Sequence, residues 1–347
     1  MPNPWDFIAK DFLKFSLDNY QKSFPNDSVF PTETGLKFHN FEAKLLGNGL
    51  LFLLPENDSK QQLLIVSVGV HGNETAPMEL LQQWTKDLFS GELPLNLALM
   101  IIIGNPPAAI KSHRFIEENL NRLFTATLLE ESFQSSNSEQ MRAVEIMAHL
   151  TVLNQQYQFN NVVHFDLHTA IRPSKHEKFL ALPYLEGENS QQLLQFWSDC
   201  GLTAALRSVA PAGTFTYFSQ SQLNAISATV ELGKVNAFGE NDLAGLSAVD
   251  QGVRDFIQQG TWPKSTNQKK LKLYQVKTEL IKTSEIFQLN IENHFANFTE
   301  FKAGYLLAED ESQNYQYQID SDGDVLVFPN TNLPVGQRAG LVAECIN

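Results

Sequence analysis

Cysteine is scarce in this chain: Cys200 and Cys345 are the only two in 347 residues. A single bridge is conceivable, but a disulfide framework is excluded. Positive charge is also short. Lys and Arg number 25 against 39 Asp and Glu, a net of −14. Such a balance repels nucleic acid and anionic membranes, and an acidic substrate would need local positive charge in its own site. No apolar run approaches the ~20 residues of a membrane span. The opening Met-Pro-Asn-Pro-Trp-Asp-Phe has no basic or apolar signal region, so cytoplasmic residence is expected. Repeats, low-complexity stretches, a P-loop and a dinucleotide fingerprint are all absent. Asp320-Ser321-Asp322-Gly323-Asp324 opens like a calcium loop, but the positions that need Gly and Glu hold Val325 and Thr331. A tight turn between strands is the expectation there.

What is present suits a globular protein with a sizeable core: 43% hydrophobic and 18% charged residues. The length suits two domains. Residues 5–24 read as a helix, and residues 36–55 as short strands broken at Asn48-Gly49. Short apolar runs at 63–68, 97–103 and 162–167 read as buried strands. Helical spacing follows at 76–89 and 139–157, with residues 130–140 read as an exposed loop. Further on come a strand at 178–182, a helix at 190–199, a strand at 226–232 and a helix at 242–258. Buried strands alternating with helices indicate an α/β domain with a mostly parallel or mixed sheet. After residue 260 the pattern changes to β-type segments and turns, so residues 1–260 read as the α/β domain and 261–347 as a smaller β-rich one.

The chemistry gathers at strand ends. His71 and Glu74 directly follow the first buried strand, and their spacing lets both face one point. His168 ends the third, completing a two-histidine, one-carboxylate set that suits one zinc ion per subunit and leaves a position for water. In open α/β sheets, ligands bind beyond the carboxyl ends of strands. Asp166 shares the face of His168 by strand period, and either accepts a bond from that imidazole or satisfies local backbone donors. His164, deeper on the same face, reads as a core histidine, while most of His39, His113, His149, His176 and His294 read as surface residues. Glu231 ends another buried strand. There it is either a general base whose pKa burial raises or a capping or salt-bridged residue. Arg114, Asn121 and Arg122 follow a strand end in a very acidic chain; the two arginines are either solvated surface residues or carboxylate binders, since guanidinium groups bind carboxylates with bidentate geometry. Arg172, four residues past His168, is a further candidate.

These segments together resemble the succinylglutamate desuccinylase and aspartoacylase family, itself related to the zinc carboxypeptidases. The matching pieces are Gly69-Val70-His71-Gly72-Asn73-Glu74, Asn105-Pro106, Arg114, Asn121-Arg122, Asp166-Leu167-His168-Thr169 and Val230-Glu231-Leu232-Gly233. They occur in the family's order and cover most of the chain. The resemblance implies a zinc-carboxypeptidase-like mixed sheet flanked by helices, with a smaller C-terminal β-rich domain. It implies zinc ligands His71, Glu74 and His168, Glu231 as acid/base, and Arg114, Asn121 and Arg122 as groups that hold substrate or polarise its carbonyl. The stretches His168-Thr169-Ala170-Ile171-Arg172, Glu231-Leu232-Gly233-Lys234, Phe328-Pro329-Asn330 and Arg338-Ala339-Gly340-Leu341 look like the branch that hydrolyses N-succinyl-L-glutamate in arginine catabolism. Aspartoacylases carry a further arginine about ten residues before the catalytic Glu; here that stretch is Ser219-Gln220-Ser221-Gln222. Arg172 is the candidate for the substrate end that arginine would serve. The implied partner is a small acidic N-acyl amino acid. The competing expectations are another N-acyl amino acid deacylase, a carboxypeptidase and a non-catalytic zinc-binding protein.

Overall fold

The computed structural model describes residues 3–20, 35–56, 62–131, 137–186, 190–265 and 270–347. The chain opens with helices α1 (Pro4–Lys10) and α2 (Phe12–Asp18). This corrects the single helix expected over 5–24, whose last four positions lie outside the described residues. Asp11 makes the break: its carboxylate accepts from the Lys14 amide at 3.0 Å and caps the second helix. Strands β1 (Leu36–Phe38), β2 (Phe41–Gly47) and β3 (Leu50–Pro55) form an antiparallel edge. Next come β4 (Gln62–Val68), α3 (Thr75–Ser90), β5 (Ala98–Ile103), α4 (Pro106–Ile110), α5 (Ala126–Glu130), α6 (Ser138–Tyr157) and β6 (Asn161–Ala170). They are followed by β7 (Lys178–Leu182), α7 (Gln191–Asp199), β8 (Ala204–Arg207), α8 (Phe215–Leu223), β9 (Ile226–Lys234) and α9 (Ser247–Gln259).

Several details depart from the sequence expectation. The exposed loop expected over 130–140 is corrected at both ends, since Glu130 closes α5 and α6 begins at Ser138; residues 132–136 lie outside the described residues. The last helix of this part begins later than residue 242, after a 3-10 turn at Ala244–Leu246. β8 and α8 had no sequence expectation. β8 is four residues long, too short to show a period, and α8 is polar through Ser219-Gln220-Ser221-Gln222.

In the main sheet β5, β4, β6 and β9 lie side by side and parallel. The chain steps from β4 through α3 to β5 on one side, then through α6 to β6 on the other. The carboxyl ends of β4 and β6 therefore flank a topological switch point, where a crevice opens in sheets of this kind. Strand alternation sorts the side chains. Leu64, Val66 and Val68 pack with Leu81 and Trp84 on the α3 face, while Leu63 and Ile65 pack with Ile146, Leu150 and Phe215 on the α6 and α8 face.

The C-terminal strands are β10 (Lys272–Ile281), β11 (Gln288–Leu289), β12 (Thr299–Glu300), β13 (Leu306–Asp310), β14 (Tyr315–Gln318), β15 (Val325–Val327) and β16 (Arg338–Cys345). β10 pairs with β8 and carries the main sheet on through β16, β15 and β12; β11, β13 and β14 form a second, small sheet. The architecture is thus a mixed α/β sheet flanked by helices with a smaller β-rich C-terminal part. Asp322 and Asp324 serve its turns, the former accepting from the Ala303 amide at 2.9 Å and the latter pairing with Lys277 at 2.8 Å. Among the described residues, no helix is long and apolar enough to cross a membrane.

Arg142 fixes the end of β5. It is buried, and donates from Nε to the Gly104 carbonyl at 2.9 Å and from Nη2 to the Ile103 carbonyl at 2.7 Å. Arg142→Met should lower the unfolding free energy by about 1–3 kcal/mol, because two buried carbonyls lose their donors. A denaturation midpoint equal to that of the parent would show that these bonds do not hold the turn.

Candidate metal centre and active site

β4 leads into the loop that carries His71 and Glu74. This loop lies directly on α4, and Gly72 makes the approach possible. A Cβ at Gly72 would stand 2.1 Å from the Ala108 carbonyl carbon and 2.2 Å from the Ala109 nitrogen. The Gly72 amide donates to the Arg114 carbonyl at 3.1 Å, tying the metal loop to the arginine loop. That second loop hangs from Glu139, at the start of α6. The buried Glu139 carboxylate accepts from the Ile116 amide at 2.7 Å and from Asn105 Nδ2 at 3.1 Å. Those bonds hold the Glu139 carboxyl below the ordinary range against the cost of its burial.

His71, Glu74 and His168 come together as their spacing led us to expect. All three are buried, and their candidate ligand atoms lie within 4.8 Å of one another. Glu74 sits between the two histidines, with Oε1 2.8 Å from His71 Nδ1 and Oε2 2.8 Å from His168 Nδ1. The far ring nitrogens are held as well: His71 Nε2 lies 3.0 Å from Asn119 Oδ1 and His168 Nε2 lies 2.9 Å from Asp166 Oδ2. With Nε2 of each ring donating outward, both Nδ1 atoms are directed at one point. His168 stands within β6, not at its end, because the strand runs two residues further.

The face chosen by strand period forms a buried polar row. Ser67 donates to Asp166 Oδ1 at 2.5 Å and lies 2.8 Å from His164 Nε2; His164 Nδ1 lies 2.8 Å from the Ser219 hydroxyl. Burial pulls His164 down to about 4, so it is neutral and donates from Nε2 to Ser67. His164 is a core histidine, as expected from its depth in the strand. The far histidines are less uniform: His176 is half-buried, with Nε2 3.1 Å from the Tyr274 hydroxyl.

Charge in the site is strongly coupled. Burial draws His71 down to about 4. Burial also opposes charge on His168, but the Asp166 and Glu74 carboxylates outweigh it and raise His168 well above its ordinary value. The carboxylates thus favour positive charge at this point, and two imidazole nitrogens with one carboxylate are a donor set that fits a divalent metal such as zinc.

Glu231 pairs in register with His168 across β9 and β6. Burial, then the neighbouring Glu74 carboxylate, push its carboxyl up to about 7. Its Oε2 is buried with no hydrogen-bond partner among the described residues, which does not fit a capping or salt-bridged role. Arg114 Nη1 stands 2.8 Å from Glu74 Oε1. Asn121 is buried and its Oδ1 accepts from the Phe215 amide at 2.9 Å, leaving its amide nitrogen for other work. Arg122 has accessible surface, yet burial and then the charges of Arg338 and Arg114 bring it down to about 9. Both statements hold together for a side chain lining a concave wall, and it remains cationic at neutral pH. Among the described residues Arg172 reaches only the Asn293 carbonyl, at 3.4 Å. Sequence reasoning missed Asn119, Glu139 and Ser67; each acts on residues 20 or more positions away, where spacing carries no signal.

Two family models match in series. Residues 60–257 match the succinylglutamate desuccinylase/aspartoacylase catalytic domain and residues 269–345 the AstE/AspA barrel-sandwich hybrid domain. The chain belongs to the succinylglutamate desuccinylase/aspartoacylase family. It is 37% identical over 305 residues to a protein named succinylglutamate desuccinylase from Pseudoalteromonas atlantica, covering 87% of this chain and 86% of the relative. A Yersinia pestis protein of the same name is 35% identical over 303 residues, covering 87% and 90%. The solved structure of succinylglutamate desuccinylase from Vibrio cholerae superposes with a TM-score of 0.82 at 31% identity over 97% of this chain and 95% of that one. The Vibrio parahaemolyticus structure gives 0.83 at 29% identity, covering 97% and 96%. The family's catalytic domain is therefore present, with its β-rich companion.

The second sphere is open to test through Asn119. Asn119→Ala should weaken metal affinity by about 10–100-fold, because His71 loses the acceptor that aims its ring. Competition against a metal-chelating dye measures this directly. Unchanged affinity would remove Asn119 from the site.

Proposed function

We propose that this chain is a zinc-dependent hydrolase that cleaves the amide bond of N-succinyl-L-glutamate to give succinate and L-glutamate. The observation that carries the reading is the buried His71, Glu74 and His168 cluster with Glu231 in register beside it, its buried Oε2 without a hydrogen-bond partner among the described residues. A closed structural site takes four protein ligands, whereas three with a neighbouring base suit hydrolysis. The substrate follows from the names of the relatives at 35–37% identity over 87% of the chain. The reaction belongs at the end of arginine catabolism by the succinyl route, in the cytoplasm. Residues 1–260 form the catalytic unit in this reading and residues 261–347 the β-rich companion.

His71, Glu74 and His168 hold one zinc ion per subunit. When bound, zinc supplies a Lewis acid that polarises the amide carbonyl and acidifies water. Asp166 and Asn119 keep the two imidazoles in the tautomer that leaves Nδ1 free. Glu231 takes the proton of the attacking water and returns it to the departing amine of glutamate. A carboxyl raised by burial suits both steps, and a bound cation would draw it down toward the base form. Arg114, beside Glu74, faces the carbonyl oxygen as negative charge develops on it. Arg122 and the Asn121 amide nitrogen bind the substrate through interactions common to ground and transition states.

Hydrolysis of N-succinylglutamate by zinc-loaded protein tests the reading, with N-acetyl- and N-formyl-amino acids and peptides as competitors. It requires succinylglutamate to be the preferred substrate and a chelator to abolish turnover; preference for an acetylated amino acid would replace the substrate assignment. Glu231→Gln keeps the shape but cannot accept a proton. It should retain zinc and melting temperature and lose on the order of 10²–10⁴ in kcat. Near-normal turnover by that variant would sink the acid/base assignment.

A further inference from the structure

The strands that carry His168 and Glu231 run on into a pocket of about 210 Å³ lined by Ala170, Arg172, Ser174, Glu177 and Lys234, among others. Their register slips between His168, opposite Glu231, and Ala170, opposite Lys234. The extra residue on β9 is a bulge, a device that re-aims side chains next to active sites. At about 3.3 Å per residue, the pocket begins about 7–10 Å along the strands from His168 and Glu231. That is within the span of a small N-acyl amino acid whose amide lies at the metal.

The pocket's charge is unusual for this protein. Lys234 is exposed and has no ion pair among the described residues, and Arg172 has only its 3.4 Å contact with a backbone carbonyl. Glu177 contributes one carboxylate, so two cations outweigh it in a chain of net charge −14. The helix that would bring an arginine from residues 219–222 brings none. Ser219 is turned inward to His164, and Gln220 donates to the Tyr184 carbonyl.

We propose that Lys234 and Arg172 together hold a terminal carboxylate of the substrate, that of the succinyl group or that of the glutamate side chain, in the pocket where β6 and β9 run past the metal site. The assignment rests on the hydrolase reading above and adds Lys234 as a specificity-determining residue. Lys234 supplies a point charge and Arg172 a planar fork, and neither needs to break an existing salt bridge to receive the anion.

Lys234→Met and Arg172→Met keep much of each aliphatic stem and remove the charge. Each should raise KM for N-succinylglutamate about 10–100-fold, the worth of a hydrogen bond to a charged group, with kcat little changed. Lys234→Arg should restore most of the loss. N-acetylglutamate lacks the acyl carboxylate and N-succinylalanine lacks the side-chain carboxylate. Parent and variant should have equal KM for whichever lacks the group this pocket holds, which identifies the arm. An unchanged KM, or the same loss with both truncated substrates, overturns the proposal. If the parent fails to hydrolyse N-succinylglutamate, the substrate reading falls separately. Titration calorimetry with succinate and with L-glutamate then decides the pocket. Binding by the zinc-loaded parent that weakens in Lys234→Met supports it; binding that is absent or equal in the two proteins overturns it.

Discussion

Burial of the Glu74 carboxylate is the constraint that organises this molecule. A charge that deep costs several kcal/mol unless partners compensate it, and the partners come from three segments of the chain. His71 comes from the same loop, His168 from β6, and Arg114 from the loop after α4. Even the Thr169 amide turns inward, donating to Oε2 at 3.1 Å. A metal ion fits such an arrangement because it meets both carboxylate and imidazole at one point, and because Asn119 and Asp166 already hold the outer edges of the two rings.

The buried row behind the metal residues extends that logic into the sheet. Ser67, His164 and Ser219 carry hydrogen bonding from Asp166 across β4 and β6 to α8. A half-satisfied network here would be worse than an apolar core. Keeping His164 neutral lets one small chain of donors end on Asp166, which in turn orients His168. The site's rigidity thus derives from polar contacts inside a core that is otherwise apolar on both faces of the sheet.

The β-rich part is not a loose appendage. β10 continues the main sheet through β8, and Phe179 and Leu206 of the catalytic part pack with Tyr274, Phe298 and Val325 in one cluster. Glu279 of β10 pairs with Arg338 of β16 at 3.3 Å, and the field of Arg338 reaches Arg122. Arg114, Arg122 and Arg338 thus bring positive charge close to one another in a chain of net charge −14, which favours a small anion there.

The sequence by itself determined the local chemistry. Short apolar runs located β4, β5, β6 and β9, the His71 to Glu74 spacing marked two candidate ligands, and the period of two put His164, Asp166 and His168 on one face. These signals are legible because they operate over two to four residues, where backbone geometry dictates direction. The raised carboxyl of Glu231 was foreseeable from its apolar neighbours, although Glu231 does not end its strand, since β9 runs on to Lys234. Only the tertiary structure decided the long-range partners. Asn119 reaches His71 across 48 residues, Glu74 reaches His168 across 94 and Ser67 reaches His164 across 97. No periodicity spans such separations; strand order, the crossover at the switch point and the bulge after His168 set them. The break at Asp11 and the short β8 were missed because a cap and a four-residue strand leave too few positions for a pattern to show.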